Sequence, residues 1–355
     1  MFVLSFACLF AFIAQKTNNK KVSRLLVVFV ILTLTIPAGL RHFSVGKDTW
    51  GYIRAIESAS NYYNGELFYT YYDFGFQLLM IILINIVREP NFVVLIIALI
   101  TNILIIKTLW QYKDKISFSI SIFCYITMYY FQTYNIMRQW LAIAIIFFAF
   151  RYLIKEKYGW FSFWIIIATS IHLSAIICFS FIPIYIFVVK KTSLKYKVIT
   201  SALTFIFLVF LYYAASALGL IYNIENKYQY YINGADFQNL NFGFYFILRI
   251  FVIVLALFLL YKNDYRSKDN IFVKIVIIFS FLGTLLTMLS YVYPYVGRIG
   301  TYAMIFEILL FSIICKTKSF NLLLKYSIIL LGIYLFVSNL IISEQGQMPY
   351  KLFIN

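Results

Sequence analysis

Thirteen apolar runs separated by short polar turns leave this chain almost no segment that could fold in water. They fall at about 1–14, 25–40, 74–87, 91–110, 116–134, 138–154, 159–171, 173–189, 198–221, 244–261, 272–291, 299–315 and 322–342. A full membrane crossing takes about 20 residues, with about 17 near the minimum. Spanning strands would alternate with period two, and these runs are apolar throughout. The pattern predicts an all-α, polytopic transmembrane helical bundle. Composition agrees: 63% of residues are hydrophobic and 12% charged, against about 45–50% and about 25% in soluble domains. A soluble enzyme, a secreted scaffold and a disordered chain are excluded. The longest polar stretches, 41–73 and 222–243, are too small to fold alone. Residues 1–355 therefore read as a single membrane domain with those two stretches as external loops. Met1 to Ala14 lacks a charged n-region and a small-residue cleavage site, so it reads as a retained helix.

The net charge of +17 would suggest nucleic acid in a soluble protein. In a membrane protein it is explained by cytoplasmic loops, and no nucleic-acid partner is expected. Lys16, Lys20, Lys21 and Arg24 mark the first such loop. Lys113 and Lys115, Lys155 and Lys157, and Lys190, Lys191, Lys195 and Lys197 mark the next three. Lys262, Arg266 and Lys268, then Lys316 and Lys318, mark the last two. Residues 41–73, 135–138, the turn near 172, 222–243 and 292–298 then face outward. Parity fails once, because two apolar runs separate 41–73 from Lys113 where an odd number is required. Run 74–87 is short, begins with Gly75 and ends at Arg88-Glu89-Pro90. It reads as a re-entrant or interfacial helix, which leaves about 12 membrane helices (11–14). Of the 21 cations assigned inward, 18 are Lys; of the nine outward, six are Arg. The inner lysines are a topological signal, and the outer arginines are the candidates for chemistry.

Those arginines lie at helix ends. Loop RHFSVGKDTWGYIRA (41–55) carries Arg41, Asp48, Thr49 and Tyr52, with Gly46 suited to a tight turn. A short helix starting there, capped by Asp48 or Thr49, would put Asp48, Thr49 and Tyr52 on one face. Arg41 reads as an anion ligand with Asp48 as base or partner, or as half of an ordinary Arg–Asp pair in a solvated loop. TYNIMRQWLAIAIIFFAF (133–150) sets Asn135, Arg138 and Gln139 at the start of a long apolar helix. Arginine suits bidentate phosphate recognition, and helix N-termini favour anions; the bland alternative is an arginine snorkelling into lipid head groups. His172 lies between Ser170 and Ser174, as a structural residue or a proton relay. Arg298 opens another helix, with Tyr302 one turn on and Glu307 deeper; Arg249 adds a fourth cation and Asp73 a further carboxylate. This set suits recognition of a phosphorylated amphiphile, with arginines stabilising a pyrophosphate leaving group and a carboxylate or imidazole deprotonating a hydroxyl. Cys8, Cys124, Cys178 and Cys315 show no metal-ligand spacing, no P-loop is present, and neither a metal nor a cofactor is expected.

In this order, the motifs resemble the EpsG family of bacterial exopolysaccharide proteins, which is similar to the Wzy O-antigen and capsule polymerases. The resemblance lies in GLRHFSVGKDTWGY (39–52), Asp73 to Phe76, NIMRQWLAIA (135–144), IHLSA (171–175) and RIGTY (298–302). It implies a glycosyltransferase that joins undecaprenyl-pyrophosphate-linked oligosaccharide repeat units at the outer face of the cytoplasmic (inner) membrane. Arg41, Arg138 and Arg298 would hold pyrophosphate, Asp48 or His172 would activate the acceptor, and Gln139 and Tyr302 would position sugar or phosphate. Asp73 stands where glutamate is more usual in the family. The implied partners are the lipid-linked oligosaccharide, membrane lipid, a chain-length regulator and a flippase. Two other functions remain as alternatives: another lipid-linked sugar transferase of the O-antigen ligase type, which would use the same arginines, or a lipid-linked oligosaccharide flippase or transporter, against which the one-sided charges and the lack of internal repeats weigh.

Overall fold

The computed structural model describes residues 2–60, 72–189, 250–252, 254–255, 258, 271–289, 294–317, 322–342 and 346–353. Run 198–221, loop 222–243 and Arg249 lie outside the described residues. The described helices are α1 (Phe2–Lys16), α2 (Lys20–Gly39), α3 (Thr49–Ser60), α4 (Phe74–Val87), α5 (Pro90–Gln111), α6 (Phe118–Met128), α7 (Met137–Ile154), α8 (Tyr158–Ile171), α9 (Phe181–Val189), α10 (Ile271–Leu289), α11 (Pro294–Met304), α12 (Glu307–Lys316) and α13 (Leu322–Ile342). Two 3-10 segments, Tyr130–Tyr134 and Leu173–Ser180, lead into α7 and α9. Among the described residues there is no strand, only an isolated antiparallel bridge between Arg41 and Leu352. Six stretches are long and apolar enough to cross a membrane: Lys20–Gly39, Pro90–Gln111, Met137–Ile154, Ile271–Met288, Gly297–Lys316 and Leu322–Ile342. Five shorter apolar helices accompany them. The protein is a multi-pass helical membrane protein.

The chain divides into two compact units. Unit 1 comprises residues 1–68, 74–148 and 307–355. In it α2 and α5 run antiparallel, with Leu95 closing on the Gly39 backbone and Asn102 Nδ2 donating to Thr35 Oγ1 at 3.3 Å. Tyr125 OH donates to Asn102 Oδ1 at 3.0 Å, so this amide bridges three helices. Such side-chain bonds between membrane helices contribute about 1–2 kcal/mol at most. Asn102→Ala is expected to lower stability by roughly that amount, read as the thermal midpoint of the purified protein in detergent; an unchanged midpoint would remove the bridge from the account.

The loops of unit 1 sort themselves into two ends. At one end Ser119 N donates to Gln15 Oε1 at 3.3 Å, and Lys316 Nζ donates to Lys113 O at 2.7 Å. These bonds gather three of the lysine-bearing segments. The opposite end holds Gly39, Arg41, Thr49 and Tyr134. Helix α4 has both termini at that second end. Phe76 packs edge-on to Tyr52 at 6.1 Å, and Pro90 begins the antiparallel partner of α2. Its 14 residues span about 21 Å at 1.5 Å each, short of the roughly 30 Å hydrocarbon layer. The re-entrant or interfacial expectation for 74–87 matches this path. An i, i+4 stripe of Phe74, Leu78, Ile82 and Ile86 is exposed, the face such a helix gives to lipid.

Unit 2 comprises residues 69–73 and 149–306. Its core is aromatic: Phe279 stacks within 4.3 Å of Phe181 and 5.0 Å of Phe306, and Phe306 lies 4.7 Å from Phe150. Three runs that read as continuous are broken. Run 116–134 breaks at Tyr129 (φ −130°), where Tyr129 and Tyr130 turn their hydroxyls to Glu307 and to Leu34 O. Run 299–315 breaks at Ile305–Phe306, and run 173–189 begins as a 3-10 helix. In each case buried hydroxyls and rings find partners that a straight α-helix would not offer.

Candidate functional site

The candidate residues fall into two groups, one in each unit. In unit 1, α3 begins where the sequence placed it: Asp48 precedes the helix and its carbonyl accepts from Tyr52 N at 3.1 Å. Thr49 points inward. Its hydroxyl donates to Val45 O at 2.7 Å and accepts from Arg41 Nε at 3.0 Å. Arg41 is 2% exposed. Its Nη1 donates to Ala38 O, and its Nη2 to Tyr134 O at 3.0 Å, with the guanidinium 4.7 Å over the Tyr134 ring. Neither sequence alternative for Arg41 matches this arrangement, since a hydroxyl and two carbonyls hold it rather than Asp48 or solvent. Carbonyls satisfy a buried guanidinium more cheaply than a single carboxylate, because several donors need acceptors at once. Burial lowers the Arg41 pKa, and the phenols of Tyr134, Tyr130, Tyr350 and Tyr52 oppose that shift.

Arg138 is the second residue of α7 and is 8% exposed, with Asn135 at 6% and Gln139 at 3%. It lies 5.9 Å over the Phe76 ring and beside the Tyr52 phenol. Burial raises the Tyr52 pKa; Arg138 opposes the rise. An arginine snorkelling toward lipid would not be buried between two rings. Behind Arg41 a small cavity is lined by Ala38, Ala98, Thr101, Asn102, Met137 and Trp140, among others. It has room for about one water and none for a sugar.

In unit 2, His172 ends α8 in an extended conformation (φ −152°, ψ 110°) and begins the 3-10 segment. Its Nδ1 lies 3.3 Å from Asp73 Oδ2, both side chains being largely buried at 16% and 26% exposure. Two residues on, Ser174 Oγ is 3.1 Å from Tyr302 OH, and Tyr302 is fully buried on α11. Arg298, one turn before Tyr302, is half-buried, and its carbonyl accepts from Thr301 Oγ1 at 2.6 Å. Four expected residues from three distant motifs, Asp73, His172, Arg298 and Tyr302, thus belong to one unit. The sequence did not anticipate Ser174 as the link or Asp73 as the partner of His172. Glu307, the deeper carboxylate beyond Tyr302, accepts from Tyr129 OH at 2.7 Å within unit 1. Among the described residues no group of three His, Cys, Asp or Glu could hold a metal.

The described residues thus define a polytopic helical membrane protein with a buried arginine, Arg138, at a helix start and a carboxylate–imidazole pair, Asp73 and His172. The chain belongs to the EpsG family, whose model matches residues 24–352, a family of Wzy-like polysaccharide polymerases. Its general function is therefore polysaccharide-polymerase-like, of glycosyltransferase type. Comparison with curated proteins and with solved structures finds no match.

Proposed function

We propose that this protein polymerises oligosaccharide repeat units carried on undecaprenyl pyrophosphate, at the external face of the cytoplasmic membrane. The observation that carries the reading is the His172–Asp73 contact, set beside Ser174–Tyr302 and the Arg298 helix in unit 2. Asp73 accepts a hydrogen bond from Nδ1–H and so leaves Nε2 as the basic nitrogen of the imidazole. The hydroxyl oxygen of the incoming unit attacks the anomeric carbon of the growing chain as its proton passes to Nε2. The bond from that carbon to pyrophosphate breaks, and its electron pair leaves with the pyrophosphate. Arg298 in unit 2 and Arg138 with Gln139 in unit 1 bind diphosphates of the lipid-linked substrates, where a planar, permanently charged fork is favoured over lysine. Asp48, exposed beside α3, serves as an acceptor contact rather than the base. A flippase supplying the units and a chain-length regulator are the partners such a reaction implies.

The test is polymer formation by purified protein in liposomes containing lipid-linked repeat unit. Arg138→Lys, Arg298→Lys and His172→Asn are each expected to reduce the rate about 100-fold or more, with unchanged thermal midpoints. Wild-type rates in the well-folded variants would overturn the reading. Single transfers without a ladder of products would favour a ligase-type transferase instead.

A further inference from the structure

We propose that the C-terminal segment Gly346–Phe353 and Arg41 form a latch that positions Arg138, an inference that rests on Arg138 binding substrate phosphate. Helix α2 ends at Gly39, and the last carbonyls of a helix have no partner within it. Here they are met from elsewhere in the chain. Tyr350 OH donates to Pro37 O at 2.9 Å, the Arg41 guanidinium donates to Ala38 O, and Phe353 N donates to Leu40 O at 3.0 Å. Two further backbone bonds, His42 N to Lys351 O at 2.9 Å and Gly46 N to Gly346 O at 2.8 Å, bracket Arg41 on its other side. The strap is itself anchored. Gln347 Nε2 donates to Asn339 O at the end of α13, and the Phe353 ring packs edge-on to Phe92 at 5.9 Å.

Arg41 carries this restraint onward through its side chain. Nε holds Thr49, three residues before Tyr52, and Nη2 holds the carbonyl of Tyr134, four residues before Arg138. Arg138 in turn lies close enough to the Tyr52 phenol to oppose the rise that burial gives its pKa. The guanidinium thus grips both arms of the Arg138 cradle with two of its five N–H groups, while a third holds Ala38 O at the end of α2. At 2% exposure, Arg41 is a positioning residue: it acts on substrate through Arg138.

Three proteins test this in the liposome assay: a chain ending at residue 345, full-length Tyr350→Phe, and full-length Arg41→Lys. A lysine ammonium cannot reproduce a three-way planar fork. For the truncated chain the KM for lipid-linked substrate is expected to rise about tenfold or more, with kcat changed far less; for Tyr350→Phe the rise is about threefold. A synthetic peptide of residues 346–355 added to the truncated chain is expected to restore the KM, which a general loss of fold would not allow. In an Arg138→Lys background, Tyr350→Phe is expected to raise KM no further. If Arg138→Lys raises KM while Tyr350→Phe and Arg41→Lys leave it at the wild-type value, the latch is overturned and the phosphate role of Arg138 stands. If Arg138→Lys itself leaves KM unchanged, the phosphate role and the latch fall together. Should the truncated chain not fold, the two full-length variants decide alone.

Discussion

Gly283→Leu is expected to separate α10 from α11 and abolish polymer formation, and Gly283→Ala to weaken both the packing and the activity. A Cβ at Gly283 would meet Met304 N, and at 2.6 Å both Ala303 C and Met304 Cα. These are backbone atoms of the facing helix, so no rotamer change can yield the space. Membrane helices have little hydrophobic drive toward each other and associate through close backbone approach at small residues. The contact is reinforced by Thr287, whose hydroxyl donates to Gly283 O at 2.7 Å and lies 3.4 Å from Met304 Sδ. Forcing a side chain into such a contact costs about 1–3 kcal/mol or more, which corresponds to a fall in thermal midpoint of roughly 5 °C or more. Because α11 also carries Arg298 and Tyr302, displacement reaches the Ser174–Tyr302 link. Thermal unfolding in detergent and the polymer assay read both effects; wild-type values for Gly283→Leu would show that the two helices do not meet there.

What the sequence made legible was whatever depends on local chemistry. Apolar runs mark α2, α5 and α8 to within a few residues, and Gly46 followed by Asp48-Thr49 marks the start of α3. The shortness of 74–87, with the Arg-Glu-Pro stop after it, marks α4 as an incomplete crossing. What escaped was set by partners far along the chain. The break at Tyr129 answers to Glu307, 178 residues away, and no hydropathy profile records that bond. Arg41 beside Asp48 looks like an ion pair because the two are neighbours in sequence; its acceptor Tyr134 O lies 93 residues off. His172 and Asp73 stand 99 residues apart, and nothing local to either motif pairs the imidazole with the carboxylate. The strap 346–353 left no trace at all, because its ladder is built from backbone groups that every sequence possesses.

Gly46→Ala is expected to reduce polymerisation about 100-fold while the helical bundle remains intact. Gly46 has φ +92°, a conformation that costs residues with a Cβ about 1–2 kcal/mol. The space is also taken: a Cβ there would meet Thr49 Oγ1 at 2.7 Å, Asn135 Oδ1 at 3.1 Å and Tyr134 Cβ at 3.3 Å. All three neighbours belong to the cradle of Arg138. Thr49 must withdraw from Arg41 Nε or the turn must open, and the Tyr134–Asn135 segment that leads into α7 must shift with it. A displacement of about 1 Å at a substrate-positioning group can cost roughly 100-fold in rate. The natural control lies five residues on, in the same motif: a Cβ at Gly51 meets nothing within 4 Å. Gly51→Ala lies inside α3, where alanine is favoured over glycine by about 0.5–1 kcal/mol, so it is expected to keep its activity and its thermal midpoint. Initial rates of the two variants in one liposome assay provide the measurement. Equal rates would mean that the turn at Gly46 is dispensable, and the case for a preorganised Arg138 would fall with it.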